Sequence, residues 1–156
     1  MLKRTELLLT IKMKTGVFMG QKQTLIEELK PLMKENGYKK RGQTWHKENE
    51  DLIIVFNIQN SYYDKEEYYI NLGIIIKALT SEGESACITN CHMSTRIDKK
   101  NEKGLLIPAA TLVRILKLWE EWYGDIRSLR IKAIEGNLPI FCTAEAKTFL
   151  TTVRLG

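Results

Sequence analysis

Few residues of this 156-residue chain can carry chemistry, and Cys87, Cys91 and His92 are the first to weigh, because thiolates and imidazoles bind zinc and, when paired, make nucleophiles. Read as a strand, the segment puts Cys87 and Cys91 on one face but about 13 Å apart, too far for one tetrahedral ion. Cys91 and His92 are neighbours in sequence, so on a strand they point to opposite faces and form no thiol–imidazole pair. The other histidine, His46, falls in a different segment beside Trp45. No Gly-rich phosphate loop, HExxH, GxSxG or paired-carboxylate spacing occurs. The expectation is structural thiols, with no metal, no cofactor and no catalytic residue. The competing class is a small hydrolase or transferase using His92 with Arg96.

The second group is unusual in a different way. In NIQNSYYDKEEYYINLG, residues 57–73, amides are threaded through aromatic and β-branched residues, although Asn is disfavoured in strands. If 52–60 and 68–76 pair as a hairpin with Asn60 across from Tyr68, then Asn57 faces Asn71, Gln59 faces Tyr69 and Phe56 faces Leu72. Alternation then sorts the faces. Leu52, Ile54, Phe56, Ile58, Tyr68, Ile70, Leu72, Ile74 and Ile76 make one unbroken apolar side that helices must cover. The opposite side is apolar at Ile53 and Val55 and polar at Asn57, Gln59, Tyr69 and Asn71, with the bare backbone of Gly73 between. In CITNCHMSTR, residues 87–96, the positions Asn90, His92, Ser94 and Arg96 share a side and can extend that polar area. Amides give directional hydrogen bonds and aromatics give contact area, so Asn57, Gln59, Tyr69, Asn71, His92 and Arg96, rimmed by Tyr62 and Tyr63, form the candidate binding surface. The alternative is that these groups satisfy one another and only fix strand register.

The elements that must position these residues follow from periodicity. Leu25, Ile26, Leu29, Leu32 and Met33 form one helical stripe between Gly20 and Asn36, with Pro31 predicting a kink or boundary near Lys30. Strand-type segments follow near 42–47, 52–60, 68–79 and 86–94. From Pro108 the pattern is helical again, with Leu112, Ile115, Leu116, Trp119 and Tyr123 on one face and Gly124 as a stop. Two more helices are expected over 125–135 and from Thr143, an N-cap, to about Val153. Trp119 belongs to the core and Trp122 packs partly against the following helix. The order predicts an α+β fold: an N-terminal helix, a four-stranded antiparallel meander, and C-terminal helices packed on one sheet face.

Length and composition bound the rest. The chain is long enough for a single domain with a real core, 44% hydrophobic and 28% charged, and no apolar run approaches the roughly 20 residues of a membrane span. An odd cysteine count without framework spacing points to reduced thiols and a cytoplasmic protein. Of the net charge of +5, residues 1–18 contribute +3 through Lys3, Arg4, Lys12 and Lys14 against Glu6, which leaves the body nearly balanced and argues against a nucleic-acid partner, so that nucleic-acid binding is the second alternative, behind a hydrolase or transferase. Those 18 residues read as a poorly ordered extension, an edge strand being the alternative, and 19–156 as the single α+β domain.

Gly37-Tyr38-Lys39-Lys40, Trp45, Ile58-Gln59-Asn60-Ser61, Asn71-Leu72-Gly73 and the run from Cys91 to Arg96 resemble, over about residues 20–97, the pattern of the DUF4304 family of small bacterial domains. The resemblance implies a fold and a class of small bacterial cytosolic domain, some of which sit in toxin and immunity neighbourhoods, and it implies no activity. The functional expectation is a binding domain, immunity-like in that sense, that recognises a protein partner.

Overall fold

The computed structural model describes residues 20–81 and 83–152, so the N-terminal extension expected over 1–18 lies outside the described residues. Along the chain come helix α1 (Gln21–Glu35), strands β1 (Lys39–Arg41), β2 (Thr44–Glu48), β3 (Leu52–Asn60), β4 (Tyr68–Ile76) and β5 (Met93–Ile97), helices α2 (Ala109–Tyr123) and α3 (Ile126–Glu135), strand β6 (Phe141–Cys142) and helix α4 (Ala144–Thr152). The class is α+β as expected. The strand count is not: the described residues form a six-stranded antiparallel sheet in sequence order, not four strands. The additions are short edge strands without an apolar pattern, β1 being the fully exposed Lys39-Lys40-Arg41 and β6 only two residues long.

The central hairpin has the expected register, with Asn60 opposite Tyr68, Gln59 opposite Tyr69, Asn57 opposite Asn71 and Phe56 opposite Leu72. All nine residues assigned to its apolar side are buried, in one cluster with Leu25, Leu29 and Met33 of α1, Leu112, Leu116 and Trp119 of α2, Leu129 of α3, and Ala146 and Leu150 of α4. The helices therefore cover one face, where burial of large side chains contributes about 1.5–3 kcal/mol each. Trp45 and Phe56 meet edge to face there, 5.7 Å between ring centres. Trp122 is half exposed and sits edge-on to Tyr123.

Helix α1 runs on through Pro31, so of the kink or boundary expected near Lys30 the boundary does not occur. Leu29 and Met33, on either side of the proline, are both fully buried against the sheet, and that packing holds the helix across the hydrogen bond Pro31 cannot make. The capping chemistry of the later helices follows the sequence: Asp125 Oδ1 accepts from the Ser128 N–H at 2.9 Å, Thr143 Oγ1 accepts from the Ala146 N–H at 3.1 Å, and Gly136, at φ 75°, closes α3.

The segment before β5 departs from expectation. Instead of a strand over 86–94, Ile88–Asn90 form a turn of 3₁₀ helix and β5 begins only at Met93. Two contacts explain this. Cys91 is laid over Gly73 so closely that a Cβ there would stand 2.3 Å from Cys91 Sγ. The His92 ring accepts, through Nδ1, the Ile76 N–H at 2.9 Å, so this donor needs no strand carbonyl. The result is a second, small apolar cluster on the other sheet face: Val55, Ile75 and Cys91, with Ile53, Ala86 and Ile88 against it.

Candidate functional site

Beyond that small cluster the same sheet face turns polar, and the strands deliver the change by alternation. Asn57 and Gln59 on β3, Tyr69 and Asn71 on β4, and Arg96 on β5 come together because β4 and β5 pair with Asn71 opposite Arg96 and Gly73 opposite Ser94. Arg96 Nε donates to Asn71 Oδ1 at 3.3 Å and its Nη2 to Gln59 Oε1 at 3.4 Å. Asn71 Nδ2 donates in turn to Gln59 Oε1 at 3.0 Å and Asn57 Oδ1 at 3.2 Å, and Asn57 Nδ2 to Thr44 Oγ1 at 3.0 Å. The hydrogen bonds run in one direction, from the guanidinium to the hydroxyl, an order in which each polarises the next. The guanidinium also lies over the Tyr69 ring, 4.0 Å from its centre.

Five of the six candidate residues thus converge, and His92 does not. It is 8% exposed, its Nδ1 is taken by the Ile76 N–H, and it precedes Arg96 by a distance of about 13 Å along extended chain. Asn90 is also elsewhere, in the 3₁₀ turn, with Nδ2 donating to the Ser85 carbonyl. A turnover centre built on His92 with Arg96 has no shared geometry. The thiols divide as well. Burial, and then the nearby Cys87, push the Cys91 thiol up to about 12. For Cys87 burial works against ionisation, but hydrogen bonds from Thr89, Ser85 and backbone N–H groups outweigh it and lower its pKa. No group of three or more His, Cys, Asp or Glu among the described residues could hold a metal ion.

Next to the network opens a groove of about 860 Å³, bounded by Gln59, Asn60, Tyr69, Ser61, Tyr62, Tyr63, Lys65 and Lys22. Tyr62 and Tyr63, each 93% exposed, stand edge to face at 5.2 Å. Asn60 Oδ1 accepts from Lys22 Nζ and from Gln43 Nε2, which ties the first turn of α1 to the end of β3. The lysines were not read from the sequence as part of this surface. Lys65 lies within the loop between β3 and β4, where it looks like any solvated cation, and Lys22 arrives only because α1 packs across the sheet end. Across the sheet, burial and then the neighbouring Glu120, which accepts from its hydroxyl, raise the pKa of Tyr38, while Lys47 pairs with the same carboxylate at 3.2 Å.

Fold and surface together define an α+β domain with one sheet face sealed by helices and the other divided between a small dry cluster and a polar surface bearing cations and aromatics. The chain belongs to the family described as Domain of unknown function (DUF4304), whose model matches residues 29–110, just over half its length. The matched region runs from α1 through β5 to the start of α2 and so contains the whole polar network. No curated protein and no solved structure matches the chain. No helix among the described residues is long and apolar enough to cross a membrane.

Proposed function

We propose that this domain is a non-enzymatic binding module that recognises a protein partner through the polar end of its open sheet face, Asn57, Gln59, Tyr69, Asn71 and Arg96, together with the adjoining groove. The observation that carries the reading is the combination of a fixed hydrogen-bond network with two almost fully exposed tyrosines at its rim. Asn57 and Asn71 are consumed by neighbours, which supports a role in fixing register. Tyr62 and Tyr63 support none: their rings touch each other and lie in solvent. Exposed aromatic side chains beside preorganised polar groups are the composition of a protein-recognition patch, since they supply contact area at low entropic cost.

Site-specific photo-crosslinking tests this. A photoreactive phenylalanine replaces Tyr62 in one protein and exposed Glu135, on α3, in another, and both are irradiated in the native host. A protein captured only from position 62 is then made recombinantly and its affinity measured for the unmodified chain and for Tyr63→Ala and Tyr69→Ala. A loss of affinity of tenfold or more in those variants is the expected result. Identical captures from both positions, or unchanged affinities, overturn the proposal.

A further inference from the structure

The network leaves a particular kind of valence unspent. Gln59 Oε1 accepts twice, from Asn71 and Arg96, and Asn71 Oδ1 accepts from Arg96, so the acceptors facing the guanidinium are occupied. What remains directed outward is donors: Gln59 Nε2 has no protein acceptor among the described residues, and Arg96 has committed Nε and only one hydrogen of Nη2 of its five N–H groups. Stacking on Tyr69 fixes the guanidinium plane, leaving its Nη1–Nη2 end as a fork.

The surrounding charge points the same way. Among the described residues none of Lys22, Lys65 and Arg96 forms an ion pair, the ion pairs being Lys30–Glu27, Lys47–Glu120, Lys77–Glu48 and Lys99–Glu67. Of the nearby carboxylates Glu67 is paired, with Lys99, while Asp64 and Glu66 form no ion pair among the described residues and offset part of that charge. Glu67 is held by Lys99, whose hydrogen bond lowers its pKa; Asp64 accepts the Glu66 N–H at 2.9 Å; and Glu66 reaches to within 3.5 Å of where a Gly20 Cβ would stand, at the start of α1.

We infer that this surface takes an acidic segment of the partner protein, with one Asp or Glu carboxylate docked end-on across Nη1 and Nη2 of Arg96 and beside Gln59 Nε2, and the following residues carried between Tyr62, Lys65 and Lys22. The inference rests on the proposed binding role and gives the partner's chemistry. A carboxylate matches a planar two-donor fork, and paired charged hydrogen bonds to a stacked arginine are strong and directional.

Nitrogen-labelled protein is titrated with a capped peptide, acetyl-Gly-Glu-Gly-Glu-Gly-amide, with the same peptide carrying Gln for Glu, and with inorganic phosphate, following the Arg96 Nε–H and Gln59 side-chain amide resonances. The expected result is saturable shifts with the Glu peptide, at least tenfold weaker binding of the Gln peptide and of phosphate, and at least tenfold weaker binding of the Glu peptide to Arg96→Lys, which keeps the charge and loses the fork. The backbone spectrum of Arg96→Lys shows whether it is folded; Gln59→Glu, which swaps a donor for a negative charge, is the second variant and should also lose the peptide. Equal binding of Glu and Gln peptides, phosphate binding as tightly as the Glu peptide, an unaffected Arg96→Lys, or no shift at all overturns the inference. Capture from position 62 and the Tyr63→Ala arm of the crosslinking experiment do not touch Arg96, whereas Tyr69→Ala removes its stacking partner; a partner captured at 62 that loses affinity with Tyr63→Ala, without any acidic-peptide response, removes the inference and leaves the binding surface standing.

Discussion

Gly73→Ala tests how the two halves of the open sheet face are joined. The residue sits in β4 between Leu72 and Ile74, opposite Val55 and Ser94, and its backbone is ordinary strand, so an alanine there meets no conformational penalty. On propensity alone the change should stabilise by about 0.5–1 kcal/mol. Space decides otherwise. The new methyl would stand 2.3 Å from Cys91 Sγ, 3.0 Å from Cys91 Cβ and 3.1 Å from Ile88 Cδ1. Ordinary carbon contacts lie at about 3.5–4.0 Å, so the sulfur has to retreat by more than about 1 Å. Cys91 is buried against Val55 and Ile75, and overpacking of that kind costs about 1–3 kcal/mol. The net expectation is a destabilisation of about 1–2 kcal/mol in urea unfolding, with unchanged m-value. Adding Cys91→Ala removes the worst contact and leaves the one at 3.0 Å, so the double variant should regain part of the loss, with a coupling of about 1 kcal/mol in the cycle. A Gly73→Ala protein as stable as the parent, or a double variant no better than the sum of its parts, refutes the reasoning.

Two further outcomes follow from the caps and thiols. Asp125→Ala should lower stability by about 1 kcal/mol at pH 7, because the Ser128 N–H loses its acceptor. Hydrogen bonding from the Ser128 backbone holds Asp125 below its ordinary pKa, so its contribution is present in full above the unfolded value of about 3.9 and disappears as pH falls through the folded value. The gap between parent and variant, measured by denaturation between pH 6 and 2, should therefore narrow toward the acid end, and a gap that widens there is inconsistent with the cap. In native protein at pH 8 iodoacetamide should modify Cys87 well before Cys91, whose thiol, pushed up to about 12 by burial, is ionised to only about one part in ten thousand. Peptide mass spectrometry over a time course reads the order, and equal rates at the two positions contradict the burial of Cys91.

Where a residue's place depended on period and pairing, the sequence was sufficient. Alternation in 52–60 and 68–76 is strict enough that aligning Asn60 with Tyr68 fixes every other pair and sends the amides to one side, as observed. Thr143 announced its cap by residue type, whereas Asp125, expected as the first helical residue, is the cap itself. The errors lie where a tertiary contact outvotes a local signal. Pro31 is carried inside α1 by the packing of Leu29 and Met33, and nothing within the helix sequence encodes the sheet beneath it. CITNCH is strand-like in composition, yet its backbone turns because Cys91 nests on Gly73 and the His92 ring takes the Ile76 N–H, both contacts made to β4, more than a dozen residues away. That same turn removed His92 from the candidate surface. The strands β1 and β6 carry no apolar alternation, since an exposed charged edge and a two-residue bridge need none.

The amide surface and the dry cluster beside it are not independent features of one face. Arg96 reaches Asn71 only because β5 pairs with β4 in a single register, Asn71 to Arg96 and Gly73 to Ser94. A slip of one residue would turn Arg96 to the helix-covered side and bring Thr95 or Ile97 to the amides. A strand of five residues with an exposed arginine and only partly buried neighbours beyond Met93 has little apolar alternation of its own to prevent this. The anchor is immediately upstream: Cys91 buried on the bare backbone of Gly73, and His92 bonded to the end of β4. Both hold the chain as it enters β5, and the Asn71–Arg96 hydrogen bond holds it at the far end. Asn71-Leu72-Gly73 and the run from Cys91 to Arg96 are therefore two halves of one device, a glycine seat with its cysteine and an asparagine with its arginine, spaced so that fixing the first pair aims the second.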